Sequence, residues 1–87
     1  MDEESLRRLQ VKLDGYHKWP CRFMFKFIVP RGKTAELATF FAEKPFTTRE
    51  SKNGRFVSFT AEIEMRSSEE VIIFYREAGK IEGLIAL

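Results

Sequence analysis

The stretch from Cys21 to Val29 constrains the architecture more than any other. Phe23, Phe25, Phe27 and Val29 take every second position, with Arg22, Met24, Lys26 and Ile28 between them. A β-strand turns successive side chains to opposite faces, so this alternation writes one aromatic face and one mixed face. Such a strand belongs in a sheet that buries one side. Nine Phe among 87 residues supply a modest core for one domain. The single Cys, Cys21, leaves no internal disulfide to staple the chain.

A second alternation runs over 55–66. Val57, Phe59, Ala61, Ile63 and Met65 are the core set; Phe56, Ser58, Thr60, Glu62 and Glu64 face solvent. A polar strand over 46–52 precedes it, with charges that suit a sheet edge. Asn53-Gly54 joins the two as a hairpin turn, since both residues accept positive φ. Residues 81–87 alternate weakly and read as a last strand.

Three helices complete the reading. Residues 3–13 place Leu6, Leu9 and Leu13 on one stripe, and Gly15 stops them. Residues 33–43 form a short helix with Leu37, Phe40 and Phe41 inward, Thr34 as its cap and Pro45 beyond its end. Ser67-Ser68-Glu69-Glu70 is a capping box opening a helix whose inner face is Val71, Phe74, Tyr75 and Ala78, with Gly79 as its C-cap. The fold class expected is therefore α+β: a ferredoxin-like βαββαβ arrangement, with a four-stranded antiparallel sheet, two helices on one face and a short N-terminal helix. Residues 1–16 are expected to be a helical extension, and 17–87 the single domain.

Several stretches resemble the YbeD-like family of small bacterial proteins of unknown function. Trp19-Pro20-Cys21-Arg22-Phe23 resembles an aromatic-Pro entry to the first strand, with Lys26 following. Ser51-Lys52-Asn53-Gly54-Arg55-Phe56-Val57-Ser58 resembles a Ser-Lys-Gly hairpin leading into an aromatic-x-Ser strand. Phe74-Tyr75-Arg76-Glu77-Ala78-Gly79-Lys80-Ile81 resembles the family's second-helix end, and a terminal apolar strand closes on Leu87. The resemblance spans about residues 17–87. It implies a ferredoxin-like fold similar to the ACT regulatory domains, which bind small effectors near the loop after the first strand, often across a dimer interface.

Chemistry-bearing groups are few. A net charge of +2, spread over both signs, reads as an ordinary solvated surface rather than a nucleic-acid footprint. The start Met1-Asp2-Glu3-Glu4 is acidic where a secretion signal is basic, and no apolar run reaches the ~18 residues of a membrane helix. The expectation is a cytoplasmic protein without membrane contact. His17 and Cys21 lie four apart with Trp19 and Pro20 between them, and read as an exposed imidazole and a half-buried thiol rather than a catalytic pair. One Cys and one His are too few for a Cys/His zinc site, so neither a metal nor a cofactor is expected. Glu62 and Glu64 face the same way and are expected to pair with Arg22 or Lys26 on the open face.

Three surface readings remain. Arg31, Gly32 and Lys33 open a helix and are the candidate site for a small anionic effector. Met24, Ile28, Phe56 and Ile85 are the candidate interaction surface, for a protein partner or for a homodimer through this face or the last strand's edge. Lys52, Phe56, Val57 and Phe59 partly match an RNA-recognition strand, which makes single-stranded RNA the alternative ligand. No acid, base and nucleophile converge, so the expected role is non-enzymatic and regulatory.

Overall fold

The computed structural model describes residues 2–41 and 44–87. Among these, three helices and four strands follow in the order α1 (Glu3–Tyr16), β1 (Cys21–Pro30), a 3-10 turn (Arg31–Lys33), α2 (Thr34–Phe40), β2 (Thr47–Glu50), β3 (Phe56–Met65), α3 (Ser68–Ala78) and β4 (Ile85–Ala86). The chain is thus α+β and begins with a helix. The strands form one open antiparallel sheet in the order β2-β3-β1-β4.

The period-two pattern governs the sheet. β1 pairs with β3 over its whole length, from Cys21 opposite Met65 to Pro30 opposite Phe56. Phe25, Phe27 and Val29 therefore share a face with Val57, Phe59 and Ala61, and all six are buried. Leu37 and Phe41 from the α2 end, and Val71, Ile72, Tyr75 and Ala78 from α3, close over that face as one cluster. Aromatic rings dominate it. Phe25 lies 4.9 Å from Phe23, 5.1 Å from Phe74 and 5.5 Å from Tyr75 between ring centroids. Burial pushes the Tyr75 hydroxyl above its ordinary pKa.

α1 joins the same core. Leu6 and Leu13 are buried, and Leu9 packs against the cluster. Glu3 meets Arg76 and Gln10 meets Ser68, so α1 runs antiparallel along α3. Asp2 caps α1 by accepting the Ser5 amide at 2.7 Å. The helix passes through Gly15 and ends at Tyr16 rather than stopping at the glycine. His17 takes extended backbone and donates its amide to the Leu13 carbonyl, while the chain heads toward a cis Trp19–Pro20 peptide. A lone Gly in a last turn weakens a helix without breaking it.

Other local expectations shift for definable reasons. Thr34 does not cap α2; its hydroxyl donates to the Arg31 carbonyl at 2.9 Å. The chain already turns at Arg31–Lys33, so Thr34 lies inside the turn rather than before it. Phe41 is buried but Phe40 is exposed, because Leu37 and Phe41 sit four apart on the inward stripe and Phe40 falls off it. The expected end of this helix at 42–43 lies outside the described residues. Ser67 caps α3 as expected, accepting the Glu70 amide at 3.2 Å.

The β2–β3 connection is a five-residue loop, Ser51–Arg55, not a two-residue turn on Asn53-Gly54. Gly54 alone takes positive φ, at 70°. Asn53 keeps negative φ, and its side-chain oxygen accepts from the Arg55 amide and the Ser51 hydroxyl. The last strand is shorter than the 81–87 alternation suggests. Ile81 turns into the core, Gly83 adopts a φ of 81°, and only Ile85 and Ala86 pair with β1.

Candidate functional site

The buried face of the sheet leaves its opposite face as the place where polar and apolar side chains meet outside the core. Directly opposed residues of an antiparallel pair point to the same side. One row on the open face therefore reads Ile85, Ile28, Ser58, Arg49 from β4 to β2. The row toward the hairpin holds Pro30 and Phe56. The rows the other way hold Lys26 with Thr60 and Thr47, then Met24 with Glu62, then Arg22 with Glu64.

Three of the four expected interaction residues thus come together. Ile28, Phe56 and Ile85 occupy one end of the face, with Phe56 41% and Ile85 53% exposed. Met24, 54% exposed, belongs to the same face but is separated from them by Lys26. Ile28 and Phe56 floor a shallow hollow of about 550 Å³, rimmed by Arg49, Glu50, Ser51, Lys52 and Ser58. Arg49 and Lys52 in that rim have no carboxylate within 4 Å among the described residues, whereas Glu50 faces Arg31.

The hollow was not readable from spacing alone. β2 is polar and exposed at every position, so which of its residues stands beside Ile28 depends on register, and register depends on the five-residue hairpin. Once that loop is known, Arg49 must lie opposite Ser58.

The candidate anion segment has a different environment. Arg31 sits 3.5 Å from Glu50, and Lys33 3.2 Å from Glu36. The Arg31 amide donates to the Arg55 carbonyl at 3.0 Å, while Gly32 borders open space. Each cation of the segment therefore already faces a carboxylate.

The two carboxylates of β3 behave as surface groups. Arg22 reaches Glu62 at 3.8 Å, as expected of this face, with both side chains more than half exposed. A pair so hydrated contributes little stability.

His17 is closer to Cys21 than its sequence suggested. Cys21 Sγ lies 3.5 Å from His17 Nδ1, and the imidazole is half-buried, 5.5 Å from Trp19 and 5.7 Å from Phe23 between ring centroids. α1 runs three residues past the expected end at 13, to Tyr16, so His17 follows the helix directly and lies beside the start of β1. Asp14 accepts a bond from Trp19 Nε1 at 3.0 Å, and no carboxylate orients the imidazole among the described residues. Among those residues, no group of three His, Cys, Asp or Glu is placed to hold a metal ion, and no helix is long and apolar enough to cross a membrane.

Set against known families, residues 14–87 match the model described as a protein of unknown function, DUF493. No curated protein and no solved structure matches.

Proposed function

The chain belongs to DUF493, the YbeD-like family that its hairpin and helix-end motifs resemble, and from that premise we propose a non-enzymatic regulatory domain that docks a protein partner on the open sheet face. The fold we assign is ferredoxin-like with an added N-terminal helix. Its support is the strand order β2-β3-β1-β4, with a helical connection from β1 to β2 and another from β3 to β4.

One observation carries the functional reading: Ile28, Phe56 and Ile85 are neighbours on a face that no helix covers among the described residues. Scattered exposed apolar residues need no explanation, but adjacent ones rimmed by polar groups are the usual form of a docking surface. The hollow beside them is open and shallow, which suits a protein surface better than an enclosed small molecule. Regulation then works by population: a partner that binds one state of a complex better than another shifts the balance toward it.

The test is affinity capture under native salt with three versions of the full chain. Phe56→Ser combined with Ile85→Lys should abolish a stoichiometric complex, while Ile73→Lys, on an exposed position of α3, should leave it intact. Equal capture by all three would refute the proposal. The RNA reading keeps one supporting feature, Phe56 beside Arg49 and Lys52. A salt-sensitive gel shift with single-stranded RNA, lost on Phe56→Ala, would favour it instead.

A further inference from the structure

The net charge of this chain is concentrated in one place. Residues 49–55 hold Arg49, Lys52 and Arg55 against Glu50 alone, while the other residues hold twelve cations and twelve carboxylates. The whole net charge of +2 therefore belongs to the hairpin that rims the hollow on the open face. Its carboxylate, Glu50, already faces Arg31 at 3.5 Å. Arg49 and Lys52 meet no carboxylate within 4 Å among the described residues. Farther along the face, Glu62 does not offset them. It lies four residues along β3 from Ser58, roughly 13 Å at the rise of a strand, and Arg22 faces it at 3.8 Å. That separation exceeds the ~8–10 Å over which exposed charges act on one another at ordinary salt.

The hollow thus has two unlike sides. Ile28 of β1 and Phe56 of β3 make an apolar floor, half-buried and 41% exposed respectively. Arg49 of β2 stands beside Ser58, one strand spacing of about 5 Å away, and Lys52 follows in the loop. An occupant that meets both sides lays an apolar side chain on the floor and brings carboxylates to the β2 rim. Such complementarity speeds encounter and turns away basic partners. Two other occupants fit less well. Val57 and Phe59 of the partly matched RNA strand are buried, which leaves Phe56 as its only ring open to a base. A second copy seated hollow to hollow would set Arg49 and Lys52 against their own counterparts, since a two-fold contact repeats the same patch on both sides.

We infer that the hollow over Ile28 and Phe56 receives an acidic segment of a partner protein, with a bulky apolar side chain on the floor and carboxylates on Arg49 and Lys52. The inference rests on the docking role proposed above and names the chemistry of the partner: the floor gives the grip, and the hairpin cations give the selectivity.

The probe is the capped peptide Ser-Asp-Glu-Leu-Phe-Asp-Glu-Ser, titrated into the full chain and followed by amide NMR. One control replaces every carboxylate by Lys, and a second replaces Leu-Phe by Gly-Ser. Shifts from the acidic peptide should centre on Ile28, Phe56, Ser58 and Arg49. Each control should bind about tenfold more weakly or worse, the first because attractions become repulsions and the second because the floor stays wet. Arg49→Glu with Lys52→Glu should weaken the acidic peptide at least tenfold and favour the Lys peptide instead. Should that variant fail to fold, added salt serves the same purpose on the unaltered chain and should weaken the acidic peptide.

No shifts at the hollow, equal binding of the acidic and Lys peptides, or binding indifferent to both charge reversal and salt would overturn the inference. So would tighter binding of a single-stranded uridine oligonucleotide than of the acidic peptide, which would give the hollow to RNA. Sedimentation as a dimer that Phe56→Ser dissolves would give it to a second copy and overturn it likewise. Partner capture separates the two claims. Capture that survives Arg49→Glu with Lys52→Glu but is lost with Phe56→Ser and Ile85→Lys sinks the acidic partner alone. Capture indifferent to both pairs sinks the docking role, and the peptide titration then decides this inference by itself.

Discussion

Replacing Phe25 by Ala tests the alternation on which the fold depends. Phe25 has no exposed surface and sits among rings from β1, α3 and the end of α2, namely Phe23, Phe74, Tyr75 and Phe41. Losing the ring forfeits about 2–3 kcal/mol of transfer free energy. A residual cavity of about 80 Å³ would add roughly 2 kcal/mol, because the surrounding aromatics are too stiff to fill it. The expected loss is therefore about 4 kcal/mol. A chain of 87 residues has a total stability of about 4–13 kcal/mol. The variant should melt roughly 15–30 °C lower, and urea unfolding should show a matching fall in midpoint. Met24→Ala, one residue away on the opposite face, should stay within about 0.5 kcal/mol of the parent. Comparable losses for the two variants, or a loss below about 1 kcal/mol for Phe25→Ala, would refute the two-faced assignment.

Other outcomes follow from single contacts. Gly83 takes φ 81°, and a Cβ there would lie 2.7 Å from Pro30 Cγ; Gly83→Ala should cost about 2 kcal/mol or more in urea unfolding. Ser67→Ala removes the α3 cap and should cost about 1 kcal/mol, read the same way. The Arg76 guanidinium, bonded to Glu3 at 2.8 and 2.9 Å, holds the Glu3 carboxyl below its ordinary value, and the Ser5 amide does the same for Asp2. Both groups have folded pKa values below their unfolded ones, so their contribution is full above the ordinary carboxylate range and is lost as pH falls through the folded values. Acid titration followed by α1 amide signals should show this loss, and Arg76→Gln should flatten its Glu3 part; an unchanged profile would contradict the pairing.

Much of this architecture was legible because its signals are local and periodic. The Phe23–Val29 alternation, the Val57–Met65 alternation and the Ser67 cap each depend on neighbours within a few residues, and each appears in the structure where expected. What was misread depends on distant partners. Residues 81–87 resemble a strand in isolation, but Ile81 is drawn into the core and Gly83 turns against Pro30. The Asn53-Gly54 signal was right about a turn and wrong about its length, because Ser51 and Asn53 close a wider loop with their side chains. The candidate site follows the same rule. Ile28 and Phe56 could be placed on the open face by parity alone, whereas the rim made by Arg49 and Lys52 required the hairpin register. The Cys21–His17 approach required knowing where α1 ends.

The most direct test of the account is site-specific photo-crosslinking in the native cell extract, with the photoreactive side chain placed at Phe56 on the open face or at Ile73 on the exposed side of α3. The account predicts one discrete adduct from position 56, suppressed when Ile85→Lys is added, and none from position 73. An adduct of equal yield from position 73, or one from position 56 indifferent to Ile85→Lys, would contradict it.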